Sequence, residues 1–211
     1  MGGVADDLIT AFVTLFVVVD PLGLGPIFLG LTRGMGSVAR RRIATEASGI
    51  AFAVLAGMAL VGDWLLRKLG IGLPAFRIAG GLLLFVIAFE MVFERRQQRK
   101  TDDAVSATHE GHVSVAAFPL AIPLMAGPGA ITASVLLSAR ADGEPLQLVL
   151  LLAIIGVVVL ICLLVFLLSP TLEKLLGHKG QIVFARLLGV LLAALAVQFV
   201  LDGILEVSGQ R

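Results

Sequence analysis

The sequence predicts an all-α, polytopic membrane protein: six transmembrane helices forming two inverted three-helix repeats, with helices 1 and 4 broken at mid-membrane. Three observations carry this. Hydrophobic residues are 58% and charged residues 15% of the 211, with mean hydropathy +1.03. A soluble domain of this size cannot hide so much apolar surface, so lipid is the expected solvent. Six apolar runs, each near the roughly 20 residues that a spanning helix needs, use up almost the whole chain. Finally, a Pro-Leu-x-x-Gly-Pro motif occurs once in each half.

The first run extends from about Leu8 to Leu31 and is interrupted by Asp20, Pro21, Gly23, Gly25 and Pro26. An acidic start without Lys or Arg is unlike a cleaved signal peptide, so this run is read as retained. A basic loop with Arg33, Arg40, Arg41 and Arg42 leads to a second run, about Ala47–Leu66. The third covers about Ala75–Phe93, and a polar linker, Glu94–His112, follows. The fourth, about Val113–Ser138, is broken by Pro119, Pro123, Gly127, Pro128 and Gly129. The fifth and sixth span about Leu146–Leu168 and Ile182–Leu201. These runs are too long and too continuously apolar for barrel strands of about 10 alternating residues. Helices satisfy their own backbone bonds in lipid.

Basic residues set the orientation. With the N-terminus outside, the inside loops hold Arg33, Arg40, Arg41, Arg42, Arg95, Arg96, Arg99, Lys100, Lys174 and Lys179. The outside holds Arg67, Lys68, Arg140 and Arg211. Both termini are therefore expected outside and the linker in the cytoplasm.

Pro21 to Pro26 aligns without a gap on Pro123 to Pro128, and Arg77-Ile78-Ala79-Gly80 resembles Arg186-Leu187-Leu188-Gly189. Three spans per copy would invert the second copy, as in many secondary transporters. The expected units are 1–93 and 113–211, joined by 94–112.

Proline removes a helical donor and clashes with the preceding turn, and glycine loosens the backbone. Such interruptions are tolerated at membrane depth only inside protein or beside a cavity, so they point to a binding site. Free amides opening each second half-helix suit a carboxylate. Free carbonyls closing each first half-helix suit an ammonium or a cation. A small zwitterion meets both needs. The substrate-binding candidates are Asp20, Pro21, Gly23, Gly25, Pro26, Ala126, Gly127, Pro128, Gly129 and Thr132. Asp20 either pairs with a substrate ammonium, binds a coupling cation, carries a proton, or caps the half-helix after it. Asp20, Glu90 and Gln198 are gating or coupling candidates. Glu90 alternatively snorkels or pairs with Arg95. Arg77 and Arg186 are read mainly as interfacial anchors, with pairing between helices the alternative, and Asp63 and Asp202 as interfacial. Thr14, Thr132 and Ser134 either donate to substrate or bond their own helix backbone.

Other function classes find little support. Net charge is +1, which gives no field for nucleic acid. The single cysteine, Cys162, excludes an intrachain disulfide. His109-Glu110-Gly111-His112 lacks the zinc-protease spacing and reads as solvated loop. There is no phosphate-binding Gly-Lys-Ser/Thr loop and no Gly-x-Ser-x-Gly elbow. No enzyme, metal or cofactor is expected.

The segments Phe16–Gly23 with Gly25–Phe28, and Pro119–Ile131, resemble the two signatures of MarC family integral membrane proteins. Arg77–Gly81 and Gln198–Gly203 are similar as well. The resemblance implies six spans in the cytoplasmic (inner) membrane and secondary transport of small neutral amino acids, glycine and alanine being the kind attested. It also implies coupling to a proton or sodium ion, and it points to Asp20–Pro26 and Ala126–Ala130. The alternatives are a passive channel and an exporter of another small metabolite.

Overall fold

The computed structural model describes residues 4–108, 114–140 and 144–209. All regular structure among them is helical. Helix α1 (Val4–Val19) meets α2 (Pro21–Leu31) at Asp20, yet Asp6–Leu31 still forms one apolar span. Helices α3 (Ser37–Lys68) and α4 (Leu73–Val92) follow, then α5 (Arg95–Thr108). A π-helical segment, π1 (Ala116–Met125), leads at a 59° bend into α6 (Pro128–Arg140). The last element is α7 (Pro145–Val207). Five lengths are apolar enough to cross a membrane, or six if the bent pair counts as one.

Two of these are the lengths Pro145–Ser169 and Gly180–Val207 of α7. A straight 63-residue helix would reach about 95 Å, three times the hydrocarbon thickness. Both lengths pack on the same bundle: a Cβ on Gly25 would meet Val165 at 3.3 Å, and one on Gly203 would meet Pro74 O at 2.8 Å. The element is therefore bent back on itself between them.

Local chemistry explains the ends. α3 stops in a Schellman turn: Gly70 sits at φ 71°, Ile71 N–H donates to Leu66 O at 2.9 Å, and Gly70 N–H donates to Arg67 O at 3.2 Å. Gly72 and Pro74 then start α4. α3 begins ten residues before the run expected from Ala47, so Arg40, Arg41 and Arg42 are helical rather than loop. Nothing between Ser37 and Ala47 breaks a helix, and arginine is a good helix former.

Small residues let the backbones approach, as membrane helices require. A Cβ on Gly81 would lie 2.7 Å from Ala196 O, and one on Gly189 would lie 2.9 Å from Met91 Cβ. A Cβ on Gly80 would crowd Thr132 and Leu136 of α6. Phe28 of α2 stacks on Phe166 of α7 with centroids 4.6 Å apart. Ion pairs Arg77–Glu206 and Arg186–Glu94 clamp the two ends of the antiparallel α4–α7 contact. The two arginines thus pair between helices rather than only anchoring at an interface. Phe52, Leu83, Phe85, Leu160 and Val190 point outward and exposed, as a lipid-facing surface demands.

Candidate functional site

At the first interruption, Asp20 takes the left-handed conformation, φ 59° and ψ 64°. That geometry is costly for most side chains and least so for Asn and Asp. The hydrogen-bond ladder passes through it, with Asp20 N–H donating to Phe16 O at 2.9 Å and Leu24 N–H to Asp20 O at 3.2 Å. Pro21 supplies the fixed φ of a first helical turn. Asp20 Oδ1 accepts from Gly23 N–H at 3.1 Å, so the capping role is realised. Gly23 has to be glycine, because a Cβ there would strike the Asp20 carboxylate.

With no amide proton on Pro21 and the Gly23 N–H turned to Asp20 Oδ1, carbonyls at the end of α1 lose their usual partners, and buried carbonyls need replacements. Helix α5 supplies them. Arg96 Nη2 donates to Val18 O, and Lys100 Nζ donates to Val19 O at 3.2 Å. Lys100 Nζ also lies 3.6 Å from Asp20 Oδ2. Gln97 Nε2 donates to Gly23 O at 2.8 Å. Arg96, Lys100 and Asp20 are each only 6% exposed. Arg96 and Lys100 are four apart and share the buried face of α5, while Gln98 and Arg99 face outward. Burial, helped by neighbouring Arg96, pulls the Lys100 ammonium down to about 8 against the opposing pull of Asp20. Burial likewise lowers Arg96, opposed first by Asp20.

The described part of the linker is therefore a helix, α5, whose cations dock on the first interruption. Glu94–His112 reads as a solvated linker because an Arg-Arg-Gln-Gln-Arg-Lys run is that polar. Only the burial of Arg96 and Lys100 four residues apart reveals its inner face. Glu90 pairs with Arg99 (Nη1–Oε1 2.6 Å) rather than Arg95, because α5 turns Arg99 back over the end of α4. His109, Glu110 and His112 lie outside the described residues.

The second interruption is looser. Phe118 and Ile122 leave helical geometry inside π1, with cis peptides at Phe118–Pro119 and Ile122–Pro123, and Ala126 N–H donates to Ala121 O at 2.8 Å. α6 restarts at Pro128, and its first backbone bond runs from Ile131 N–H to Gly127 O at 3.0 Å. The interruptions are neighbours: a Cβ on Gly129 would press on Ile87 and meet Val18 Cγ1 at 3.2 Å.

Two cavities flank this meeting point. One, about 310 Å³, is lined by Asp20, Leu22, Gly23 and Pro26, by Glu90 and Glu94, by Arg96, Gln97, Gln98 and Thr101, and by Gln181 to Ala185 of α7 except Val183. The other, about 250 Å³, is lined by Pro123–Met125 and Gly127–Ala130, by Val18 and Ile87, and by Arg96, Arg99 and Lys100. The first carries three carboxylates and one guanidinium; the second carries three cations and no carboxylate. Arg96 borders both. Among the sequence candidates, Asp20, Gly23, Pro26 and Glu90 line the first cavity, and Gly127, Pro128 and Gly129 the second. Pro21, Gly25, Ala126, Thr132 and Gln198 line neither. Gly25 backs onto Val165, Thr132 onto Gly80, and Gln198 Nε2 donates to Asp202 at 2.9 Å. Asp202 is buried rather than interfacial. Ser134 donates to Ala130 O at 2.9 Å, and Thr14 Oγ1 is buried without a hydrogen-bond partner among the described residues. Among the described residues no cluster of three or more His, Cys, Asp or Glu could hold a metal.

Apolar helices with exposed lipid-type surface, two of them interrupted around polar cavities, define a polytopic integral membrane protein. The model of the MarC family integral membrane proteins matches residues 5–208, and the chain belongs to that family. It is similar to a UPF0056 membrane protein of Archaeoglobus fulgidus, 35% identical over 98% of this chain and 96% of that one. UPF0056 membrane protein YhcE of Escherichia coli is 34% identical over 92% of this chain and 89% of its own length. YvbG of Bacillus subtilis, also a UPF0056 membrane protein, is 32% identical over 93% of each. No solved structure matches.

Proposed function

We propose that this MarC-family chain is a secondary transporter of small neutral amino acids, of the glycine and alanine kind, across the cytoplasmic (inner) membrane. Substrate sits between the two interrupted segments, and flux is coupled to a proton or sodium gradient. Residues 1–93 and 113–211 act as inverted repeats, with both termini outside and no catalytic step. The observation that carries the reading is the pair of adjoining cavities of opposite charge character at the interruptions. A zwitterion of few heavy atoms can present its ammonium to the carboxylate-lined side and its carboxylate to the cationic side. Interrupted helices at a cavity also suit alternating access better than a fixed pore. The α5 cations that occupy the α1 carbonyls act as a closure that must move during a transport cycle.

Purified protein in proteoliposomes tests this. Labelled glycine or alanine is expected to enter saturably, to show counterflow, and to accumulate only with an imposed proton or sodium gradient. Non-saturable flux without counterflow would make the protein a channel. No uptake by folded protein would remove the substrate class.

A further inference from the structure

We infer that the 250 Å³ cavity at the start of α6 is a carboxylate seat whose principal ligand is Arg96, a residue of the linker helix that belongs to neither interrupted segment.

Charge comes first. The groups gathered here are Arg96, Arg99 and Lys100 against Asp20, Glu90 and Glu94; Glu94 is taken by Arg186 from α7, which leaves one cation in excess. Lys100 faces Asp20 and Arg99 faces Glu90. Among the described residues Arg96 has no carboxylate partner: Nη2 donates to Val18 O and Nη1 reaches only Met91 Sδ at 3.4 Å. A thioether is a weak acceptor. Among the described residues Arg96 Nε has no partner either, on a side chain more than nine-tenths buried that borders the cavity. A buried guanidinium donor left bare is costly, and an anion satisfies it with a charge-assisted bond.

Opposite it stands the start of α6. Pro128 has no amide proton, and the amides of Gly129 and Ala130 precede the first bond of the helix, from Ile131. They lie at the positive end of a 13-residue helix. Gly129 admits no side chain there, since Ile87 and Val18 already occupy that space. A planar guanidinium facing free amides across a small cavity fits a carboxylate, which takes Arg on one edge and amides on the other. The source is either an amino acid or a free short-chain acid. The inference is independent of transport, because it concerns only what the seat binds.

Binding to purified protein in detergent, followed by calorimetry, tests it with glycine, propionate, glycinamide and chloride. Glycine and propionate are expected to bind and compete, while glycinamide and chloride do not. Glycine bound about tenfold or more above propionate identifies an amino acid as the ligand; equal binding identifies the free acid class. Arg96→Gln is expected to weaken both by at least about tenfold, with Arg96→Lys between it and the wild type. If Arg96→Gln does not fold, Arg96→Lys and the wild-type panel decide. Glycinamide binding as well as glycine, or undiminished propionate binding to the folded Arg96 variants, overturns the seat. Propionate binding without glycine uptake would instead leave the seat standing and remove the transport reading.

Discussion

The same Pro-Leu-x-x-Gly-Pro motif produces two unlike interruptions. In the first half one residue, Asp20, absorbs the whole change: the helix resumes at once, and one span continues to Leu31. In the second half the helix loosens from Phe118 to Ala126 and resumes only at the second proline, after a 59° bend. The difference lies at the residue before the first proline. Asp20 tolerates the left-handed conformation and caps Gly23, whereas the matching Ile122 is β-branched, extended, and has no side-chain acceptor to offer. A cap concentrates a break, and without one the break spreads. The spread break leaves the free amides of α6, while the sharp one leaves carbonyls that α5 has to cover.

The largest expected effect therefore comes from Asp20. Asp20→Ala removes the cap, puts a poor residue in the left-handed conformation, and strips buried Lys100 of its carboxylate. A loss on the order of 3 kcal/mol is expected from a broken buried pair alone. Thermal unfolding in detergent should show it as a large fall in midpoint. Asp20→Asn keeps the conformation and the cap acceptor but also breaks the pair with Lys100, so it should insert and lose less stability than Asp20→Ala, while uptake is lost. Unchanged kinetics in that variant would reduce Asp20 to a cap.

Glycines separate the breaks further. Gly23→Ala should cost about 1–3 kcal/mol, because the new methyl must displace the Asp20 carboxylate. Gly30→Ala, in the same helix with no atom within 4 Å of the new methyl, should be neutral or stabilising by about 0.5–1 kcal/mol. Similar midpoints for the two variants would contradict the cap geometry.

How much of this the sequence discloses follows from the kind of signal each feature gives. The interrupted helices are legible because Pro and Gly act locally, and Asp20 is legible as a cap because Asp-Pro before an apolar run is a helix-start pattern. The extent of the second break is not: a π-helical stretch over Ala116–Met125 depends on how π1 packs against α3, α5 and α2. The role of α5 is hidden for a deeper reason. Arg96 and Lys100 look like solvated charges, and what buries them is the set of carbonyls freed eighty residues away in α1. The pairing of Arg77 with Glu206 is equally non-local, whereas the Arg77 and Gly80 spacing was visible.

Stability is also expected to depend on pH. Folding lowers the Lys100 pKa from 10.5 to about 8, so the folded protein releases that proton more readily than the unfolded chain. Below about pH 8 both states carry it, and the burial cost is present in full. Between about pH 8 and 10.5 the unfolded state binds more protons, so stability should rise with pH across that window. Lys100→Met should flatten this rise, as read from unfolding midpoints at several pH values.

The docking of α5 on the first interruption is the hinge of the account, and thiol labelling reads it most directly. In a Cys162→Ser background, single cysteines at positions 96, 98, 99 and 100 are treated with a water-soluble maleimide in intact membranes. The account predicts fast labelling at 98 and 99 and protection at 96 and 100. Equal rates at all four positions would mean that α5 lies free in water and that the α1 carbonyls find other partners.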